Sequence, residues 1–111
     1  MPEPFLPKPF RCEMGPHNGA VHIRLQGELD MSTVPVVEEC LRSGLKGGSR
    51  RMVVDLRGLN FMDSTGLSLV TRWNNESRRD GFEFALIQGD ARIQRLFDLT
   101  GLNEYFTFVS G

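Results

Sequence analysis

Three amphipathic helical patterns alternate with short apolar runs along this chain, and this alternation restricts the fold more than any other feature of the sequence. Strands that are joined by helices run parallel, and such crossovers are almost always right-handed. The order of the segments is β-β-α-β-α-β-α-β. We therefore predict a single α/β domain with a mainly parallel sheet, β-α crossovers in sequential order and an antiparallel N-terminal edge strand. If the strands follow in order, the three helices lie on one face.

The bounds of these segments follow from their periodicity and from their capping and turn residues. Strands are predicted at residues 10–14, 20–26, 52–56, 82–87 and 105–109, with turns at 15–19 and 58–60. The first helix is predicted to begin after a Ser32 or Thr33 cap and to end at the glycines of 44–48. The other two helices are predicted at 65–79 and, after an Asp90 cap, at 91–99.

The N-terminal residues differ in composition from the rest of the chain. Residues 1–9 contain four prolines, which lack a backbone N–H donor and block helix formation. We therefore predict that residues 1–9 form an extended or disordered tail and that one folded domain covers residues 10–111. A chain of 111 residues is long enough to bury a core without disulfides or metals.

Composition and charge exclude several functional classes. The formal net charge is −1, and the basic pair Arg78-Arg79 is followed at once by Asp80, so the sequence lacks the basic stripe of a nucleic-acid-binding protein. No stretch approaches the roughly 20 apolar residues of a membrane span, and the proline-containing N-terminus does not resemble a signal peptide. We expect a cytoplasmic protein that has no membrane span and no direct contact with nucleic acid.

The two cysteines, Cys12 and Cys40, form neither a CxxC pair nor a metal-ligand spacing. We predict that they are buried, reduced thiols that act as small apolar residues. The sequence also lacks the GxxxxGKS/T loop that cradles nucleotide phosphates. We therefore expect no cofactor and no metal site.

Residues 61–67 (Phe-Met-Asp-Ser-Thr-Gly-Leu) contain the most informative pattern, because they join a predicted strand to a predicted helix. A hydroxyl at such a junction is exposed, and the helix N-terminus favours an anion beside it by about 0.3 to 1 kcal/mol. A phosphate on Ser64 would add about −1.5 to −2 charges to this surface. Asp63 and Ser64 are also favoured helix caps, and Gly66 suits a tightly packed turn, so capping alone is the simpler interpretation of the residues.

Three segments of the chain resemble signatures of the STAS domain family of bacterial anti-sigma factor antagonists. They are residues 61–67, residues 27–30 (Gly-Glu-Leu-Asp) and residues 95–102 (Arg-Leu-Phe-Asp-Leu-Thr-Gly-Leu). Their order and spacing agree with the predicted elements, and together they cover the chain from about residue 10 to residue 109. The resemblance implies a STAS-like domain that regulates transcription by partner switching.

The resemblance also implies the site residues. Ser64 is the implied phosphoacceptor, Asp63 is its acidic neighbour, Asp30 is a loop carboxylate near the same surface, and Thr65 is the less favoured acceptor. The implied partner-binding residues are Asp30, Asp63, Ser64, Thr65 and Gly66.

The implied partners are an anti-sigma factor that is also a serine kinase, and a serine phosphatase. The dephosphorylated chain would bind the kinase and release a sigma factor, phosphorylation of Ser64 would end this binding, and the phosphatase would reset the chain. The chain would be a substrate of the kinase and not an enzyme, and we expect it to be a monomer when free.

Two alternatives remain open. The first is a STAS domain that is never phosphorylated and serves as a scaffold or sensor module, for example as the soluble subunit of a lipid transport complex; the intact Asp63-Ser64 pair favours the switch over this scaffold. The second is an enzyme with Ser64 as nucleophile. A nucleophile elbow needs glycine where Met62 stands, and only His17 and His22 could supply the base.

The second predicted helix carries a polar patch at residues 71–75 that departs from the simplest family pattern. Trp73 lies within this patch but shares a helical stripe with Val70. We therefore interpret Trp73 as a residue at the edge of the core and not as a docking anchor.

Overall fold

The computed structural model describes residues 9–111 of the chain. Its strands are β1 (Arg11–His17), β2 (Ala20–Leu29), β3 (Arg51–Met62), β4 (Glu83–Ile87) and β5 (Phe108–Val109). Its helices are α1 (Val34–Lys46), α2 (Ser64–Asp80) and α3 (Ala91–Leu99). Apart from Pro9, the predicted N-terminal tail lies outside the described residues.

The five strands form one sheet in which the strand order equals the sequence order, β1-β2-β3-β4-β5. β1 pairs antiparallel with β2, and each later pair is parallel. Buried residues of all three helices share one core with strand residues such as Ile23, Val54 and Leu86. The helices therefore lie on one face of the sheet, and the predicted fold class, strand order and antiparallel edge strand are confirmed.

The N-terminal hairpin turns later than predicted. β1 continues through residues 15–17, and the turn consists of Asn18 and Gly19, whose φ angles are 49° and 83°. Two-residue hairpin turns of this kind need positive φ at both positions, which asparagine and glycine tolerate best. At the other end of the chain the last strand is shorter than predicted, since only Phe108–Val109 pairs with β4.

The turn predicted at residues 58–60 is wrong, because β3 continues to Met62 beside β2. A Cβ at Gly58 would lie 2.6 Å from the carbonyl oxygen of Leu25, so this glycine lets two strands approach closely at an irregularity in their register. β2 is likewise longer than predicted and ends at Leu29, opposite Met62. The loops that follow β2 and β3 therefore begin side by side.

The helix ends follow from their capping residues. The carboxylates of Asp63 and Asp90 each accept two backbone N–H bonds at the start of α2 and α3, and Gly81 ends α2 with a left-handed φ of 77°. α1 begins differently, because its N-cap Thr33 makes no side-chain capping bond. The Thr33 hydroxyl donates instead to the carbonyl oxygen of Glu28 at 2.8 Å, which fixes the loop between β2 and α1.

Trp73 is part of the core and not at its edge, since its side chain is 0% exposed. Its indole N–H donates to Oε2 of Glu38 on α1 at 2.7 Å, and its ring packs edge-on against Phe82 with the centroids 6.3 Å apart. A tryptophan can be buried completely only when its N–H finds an acceptor. The carboxylate of Glu38 is that acceptor, a pairing that no local sequence pattern indicates.

The helix-free face of the sheet carries a buried carboxylate. The side chain of Asp55 is 1% exposed; it accepts a hydrogen bond from Nη2 of Arg57 at 2.8 Å and lies 3.0 Å from Nε2 of His22. Burial raises the pKa of Asp55, but the hydrogen bonds from Arg57 and His22 outweigh it and lower the pKa to about 2. Asp55 is therefore ionised at neutral pH and links β3 to β2 by charge.

We expect the substitution Asp55→Asn to make folding less sensitive to acid. A carboxyl group with a pKa of 3.8 when unfolded and about 2 when folded stabilises the fold above about pH 4, and this contribution is lost as the pH falls toward 2. We expect the wild-type chain to lose about 1 to 2 kcal/mol of unfolding free energy over this interval through Asp55. The variant would be less stable at pH 7 and lose less on acidification.

Urea denaturation at a series of pH values between 7 and 2 measures this difference. The matched control is Asp98→Asn, which removes an exposed carboxylate on α3 and should keep the wild-type pH dependence. Identical pH dependence in Asp55→Asn and the wild-type chain would contradict the role of Asp55.

Candidate functional site

The junction between β3 and α2 presents Ser64 as the exposed first residue of α2. Oδ1 of Asp63, the N-cap, accepts hydrogen bonds from the backbone N–H groups of Thr65 at 3.0 Å and Gly66 at 3.2 Å. Asp63 therefore caps the helix, and Ser64 is not needed for that role. Within residues 9–111, no group is hydrogen-bonded to the Ser64 hydroxyl, which is free to react.

The other hydroxyl of this turn is occupied. Thr65 is also exposed, but its Oγ1 donates to Oδ1 of Asp63. This bond holds the Thr65 side chain against the capping carboxylate, whereas the Ser64 hydroxyl makes no hydrogen bond within residues 9–111. The Ser64 hydroxyl can therefore turn toward a partner more freely than the Thr65 hydroxyl.

Asp30 lies in the neighbouring loop, between β2 and α1. The backbone N–H of Asp63 donates to the carbonyl oxygen of Leu29 at 3.2 Å, which joins the two loops directly. Oδ1 of Asp30 accepts hydrogen bonds from the backbone N–H and the hydroxyl of Ser32 at 2.9 and 2.6 Å. The structure thus brings Asp30, Asp63 and Ser64 together at the carboxyl end of the sheet.

Both carboxylates are held in the ionised state. The Thr65 hydroxyl, followed by the backbone N–H groups of Gly66 and Thr65, keeps the pKa of Asp63 below its usual value, although the charge of Asp30 acts in the opposite direction. The Ser32 hydroxyl is the main cause that lowers the pKa of Asp30. Two ionised carboxylates therefore lie in the pair of loops that contains Ser64 at neutral pH.

A shallow groove of about 360 Å³ runs beside Ser64 between the start of α1 and the first turns of α2. It is lined by Met31, Val34, Pro35, Ser64, Thr65, Ser68 and Arg72. Met31 is 76% exposed. A large apolar side chain that stays this exposed at a groove suits a surface that binds another protein.

Met31 lines the groove, although the sequence motifs give it no role. It stands between Asp30 and Ser32 in a loop that is otherwise polar. An isolated large apolar residue in a polar loop was the available signal for Met31.

Glu38 holds the two walls of the groove together. Its Oε1 accepts a hydrogen bond from Nη1 of Arg72 at 3.1 Å, and Arg42 lies 3.6 Å away from the same oxygen. Its other oxygen accepts the indole N–H of Trp73. The polar patch of α2 therefore serves in part to fix α2 against α1, which positions the groove.

Gly66 lies beneath the site and not on its surface. It is buried, and a Cβ at this position would lie 2.7 Å from Cγ of Leu29 and 2.8 Å from Cγ of Met62. This differs from the expectation that Gly66 contacts a partner. The absence of a side chain allows α2 to begin close against the ends of β2 and β3.

We expect Gly66→Ala to destabilise the fold by about 1 to 3 kcal/mol, because the new methyl group overlaps two core side chains at the end of the sheet. Gly44→Ala is the matched control: Gly44 was predicted to end α1 but lies inside it, and its nearest neighbour would be the flexible end of Met52 at 3.3 Å. Since alanine is favoured over glycine in helices, Gly44→Ala should be neutral or stabilising. Urea denaturation that ranks the two variants in the reverse order would contradict the packing of Gly66.

His22, one of the two histidines that could serve as a base, lies away from Ser64. His22 hydrogen-bonds Asp55 on the helix-free face of the sheet, whereas Ser64 starts a helix that packs on the opposite face. In the part of the chain that the structure describes, no group of three or more His, Cys, Asp or Glu side chains could hold a metal ion. No helix among residues 9–111 is long and apolar enough to cross a membrane.

Comparison with known proteins gives consistent matches. Residues 12–110 match the family model of the STAS domain. An anti-sigma-B factor antagonist of Staphylococcus aureus (strain NCTC 8325 / PS 47) is 37% identical over 82 residues, which cover 74% of this chain and 76% of the relative. The structure of an anti-sigma factor antagonist from Mycobacterium paratuberculosis superposes with a TM-score of 0.81, at 24% identity and over 96% of this chain and 92% of that one.

A further structural neighbour is the Bacillus cell fate determinant SpoIIAA in its phosphorylated form, with a TM-score of 0.66, 25% identity and 92% of each chain covered. The chain belongs to the STAS domain family, and within it to the anti-sigma factor antagonists. The family resemblance of the sequence is thereby confirmed.

Proposed function

We propose that the unphosphorylated chain binds an anti-sigma factor that is also a serine kinase, and thereby releases a sigma factor, and that phosphorylation of Ser64 ends this binding. The observation that carries the proposal is the Ser64 hydroxyl, which is exposed and not hydrogen-bonded at the first residue of α2, beside a groove with exposed apolar residues. Asp30, Asp63 and Thr65 belong to the same proposed docking surface, and Gly66 shapes it from beneath.

In the unphosphorylated chain, the docking surface combines apolar side chains with the uncharged hydroxyl of Ser64. Met31, which is 76% exposed, and the groove residues Val34 and Pro35 supply the apolar side chains, whose burial against a partner would contribute to the binding free energy. Asp30 and Asp63 are held by bonds within their own loops, so they are preorganised and lose little freedom on binding. The partner should therefore present an apolar patch with hydrogen-bond donors at its rim.

Phosphorylation changes this surface without requiring a new fold. The phosphate adds about −1.5 to −2 charges next to the ionised Asp30 and Asp63, so three anionic groups would face the partner. The N-terminus of α2 stabilises the phosphate by about 0.3 to 1 kcal/mol, and the Asp63 cap can stay in place. A partner surface that fits a neutral hydroxyl then loses affinity through charge and desolvation.

The chain contributes only the attacking oxygen to the transfer. Oγ of Ser64 bonds to the γ-phosphorus of ATP held by the kinase, the bond to the bridging oxygen breaks, ADP leaves, and the hydroxyl proton passes to a base of the kinase. A serine phosphatase restores the unphosphorylated chain: water attacks the phosphorus, the bond to Oγ of Ser64 breaks, and inorganic phosphate leaves. On this proposal the chain is a substrate and not a catalyst, a monomer when free, and a cytoplasmic protein.

The described functions and states of two related proteins support this proposal. The Staphylococcus aureus protein is an anti-sigma-B factor antagonist, and SpoIIAA exists in a phosphorylated form. Both properties belong to those proteins, and the shared family makes the same mode of action the best-supported one for this chain.

Reconstitution tests the proposed function. A complex of a serine-kinase anti-sigma factor and its sigma factor, both encoded in the same genome, is mixed with the unphosphorylated chain without ATP, and the components are followed by size-exclusion chromatography. We expect free sigma factor and a new complex of the chain with the kinase. A sigma factor that stays bound at every ratio, for each such kinase of the genome, would contradict the switch and favour the scaffold alternative.

A further inference from the structure

Cys12 and Cys40 lie outside the proposed docking surface, and the fold places them next to each other. Cys12 is on β1 opposite Leu25, whose side chain is fully buried under the helices, so Cys12 faces the same side of the sheet. Cys40 is on α1, one residue before Leu41 and three after Val37, both of which are buried. The two cysteines pack against the main core, α1 packs on β1, and the two thiols are close enough to influence each other's ionisation.

We propose that Cys12 and Cys40 form a redox modification site, which closes into an intramolecular disulfide when the chain meets a peroxide. Both cysteines are free thiols in the structure and only half-buried, so a small oxidant can reach them. They come from a strand and a helix that pack against each other, and a disulfide between them needs no change of topology. The sequence analysis predicted two buried thiols, whereas both thiols are only half-buried in the structure.

The reaction needs one molecule of hydrogen peroxide. The thiolate of one cysteine attacks a peroxide oxygen, the O–O bond breaks, and hydroxide leaves and takes up the proton released by the thiol, which leaves a sulfenic acid on the protein. The second sulfur then attacks the sulfenic sulfur, the S–O bond breaks, and the hydroxyl group leaves as water with the second thiol proton. The two sulfurs lose two electrons, and the peroxide is reduced to two molecules of water.

The surroundings of Cys12 set the rate of this reaction. Burial, and after it the neighbouring thiol of Cys40, raise the pKa of the Cys12 thiol. Because only the thiolate is nucleophilic, oxidation should be slow at neutral pH and become faster as the pH rises. The pair should therefore respond to sustained exposure to peroxide and not to a brief pulse.

The disulfide would fasten α1 to β1. Val34 and Pro35, at the start of α1, line the groove beside Ser64, so the bond would restrain one wall of that groove. It would also close a long loop of chain, which stabilises the folded state mainly by restricting the unfolded one. The oxidised chain should unfold at a temperature several degrees higher than the reduced chain.

Treatment of the full chain with hydrogen peroxide at several pH values tests the proposal. After denaturation in a thiol-alkylating reagent, the oxidised chain should carry no alkyl groups, weigh two hydrogens less than the reduced chain, and yield a peptide pair that joins Cys12 to Cys40. Dithiothreitol should reverse these changes. Cys12→Ser and Cys40→Ser are the matched controls, and neither should form the intramolecular bond or gain thermal stability.

The peptide map of the wild-type chain decides the question even where a serine variant folds poorly. Two thiols that remain free, two separate sulfinic acids, or disulfides that join different chains would each overturn the proposal. Since the experiment uses neither kinase nor ATP, its outcome is independent of the proposed role of Ser64.

Discussion

Ser64→Glu is expected to weaken binding to the anti-sigma factor kinase about tenfold or more, whereas Ser64→Ala should bind within about twofold of the wild-type chain and accept no phosphate. Glutamate places a permanent charge at the first residue of α2, beside Asp30 and Asp63, which are already ionised. Alanine removes a hydroxyl that makes no hydrogen bond within the described residues, so the fold and the apolar docking area remain. Titration calorimetry of each variant with the kinase measures the difference.

Ser49→Glu is the control for this comparison. It adds the same charge just before β3 begins, at the end of the sheet opposite to Ser64, and should leave the affinity unchanged. If Ser64→Glu bound as tightly as Ser64→Ala, the surface around Ser64 would not be the docking surface.

Trp73→Ala should cost about 3 to 5 kcal/mol of unfolding free energy, the largest loss expected for a single substitution in this chain. Trp73 is fully buried, and its removal leaves a cavity between α1 and α2 and takes away the indole N–H donor to Oε2 of Glu38. Domains of this size are stable by only about 5 to 15 kcal/mol, so the variant would lose a substantial part of its stability. Urea denaturation followed by circular dichroism measures it.

Two further variants separate packing from the hydrogen bond. Trp73→Phe keeps most of the ring but loses the N–H, and should cost about 1 to 3 kcal/mol. Leu99→Ala removes a large apolar side chain that is 74% exposed, and should change stability by less than about 0.5 kcal/mol. Equal effects of Trp73→Ala and Leu99→Ala would contradict the burial of Trp73.

The parts of the fold that depend on local chemistry were predictable from the sequence. Asp90 was recognised as the cap of α3, the bounds of α3 agree with the structure, and α2 begins one residue before the predicted start. Capping and stop signals act over a few residues and are therefore visible in the sequence. The parallel pairing followed from the alternation of strands and helices, and the single helix face followed from sequential strand order together with the fixed hand of crossovers.

The errors arise where a residue serves a contact that is distant in sequence. Gly58 resembles a turn residue, but its role is to let β3 pass close to Leu25 on β2. Trp73 resembles an edge residue until Glu38 on α1 accepts its N–H. The contact between Cys12 and Cys40 likewise exists only because α1 packs on β1. Such relations depend on tertiary packing, which periodicity does not encode.

The candidate site was predictable in part. The segment 61–67 located Ser64 and its capping aspartate, because the junction of a strand and a helix is a local feature. The sequence could not show that Asp63 alone caps the helix, that the Thr65 hydroxyl is occupied, or that Met31 stands exposed beside the same groove. These facts depend on how two loops meet at the end of the sheet.

Phosphosite mapping tests the central claim most directly. The chain is incubated with the anti-sigma factor kinase and ATP, its intact mass is measured, and fragment spectra locate the phosphate in the wild-type chain, in Ser64→Ala and in Thr65→Ala. The account predicts one phosphate on Ser64 in the wild-type chain and in Thr65→Ala, and none in Ser64→Ala. A phosphate on Thr65 or any other residue, or a wild-type chain that stays unmodified, would contradict it.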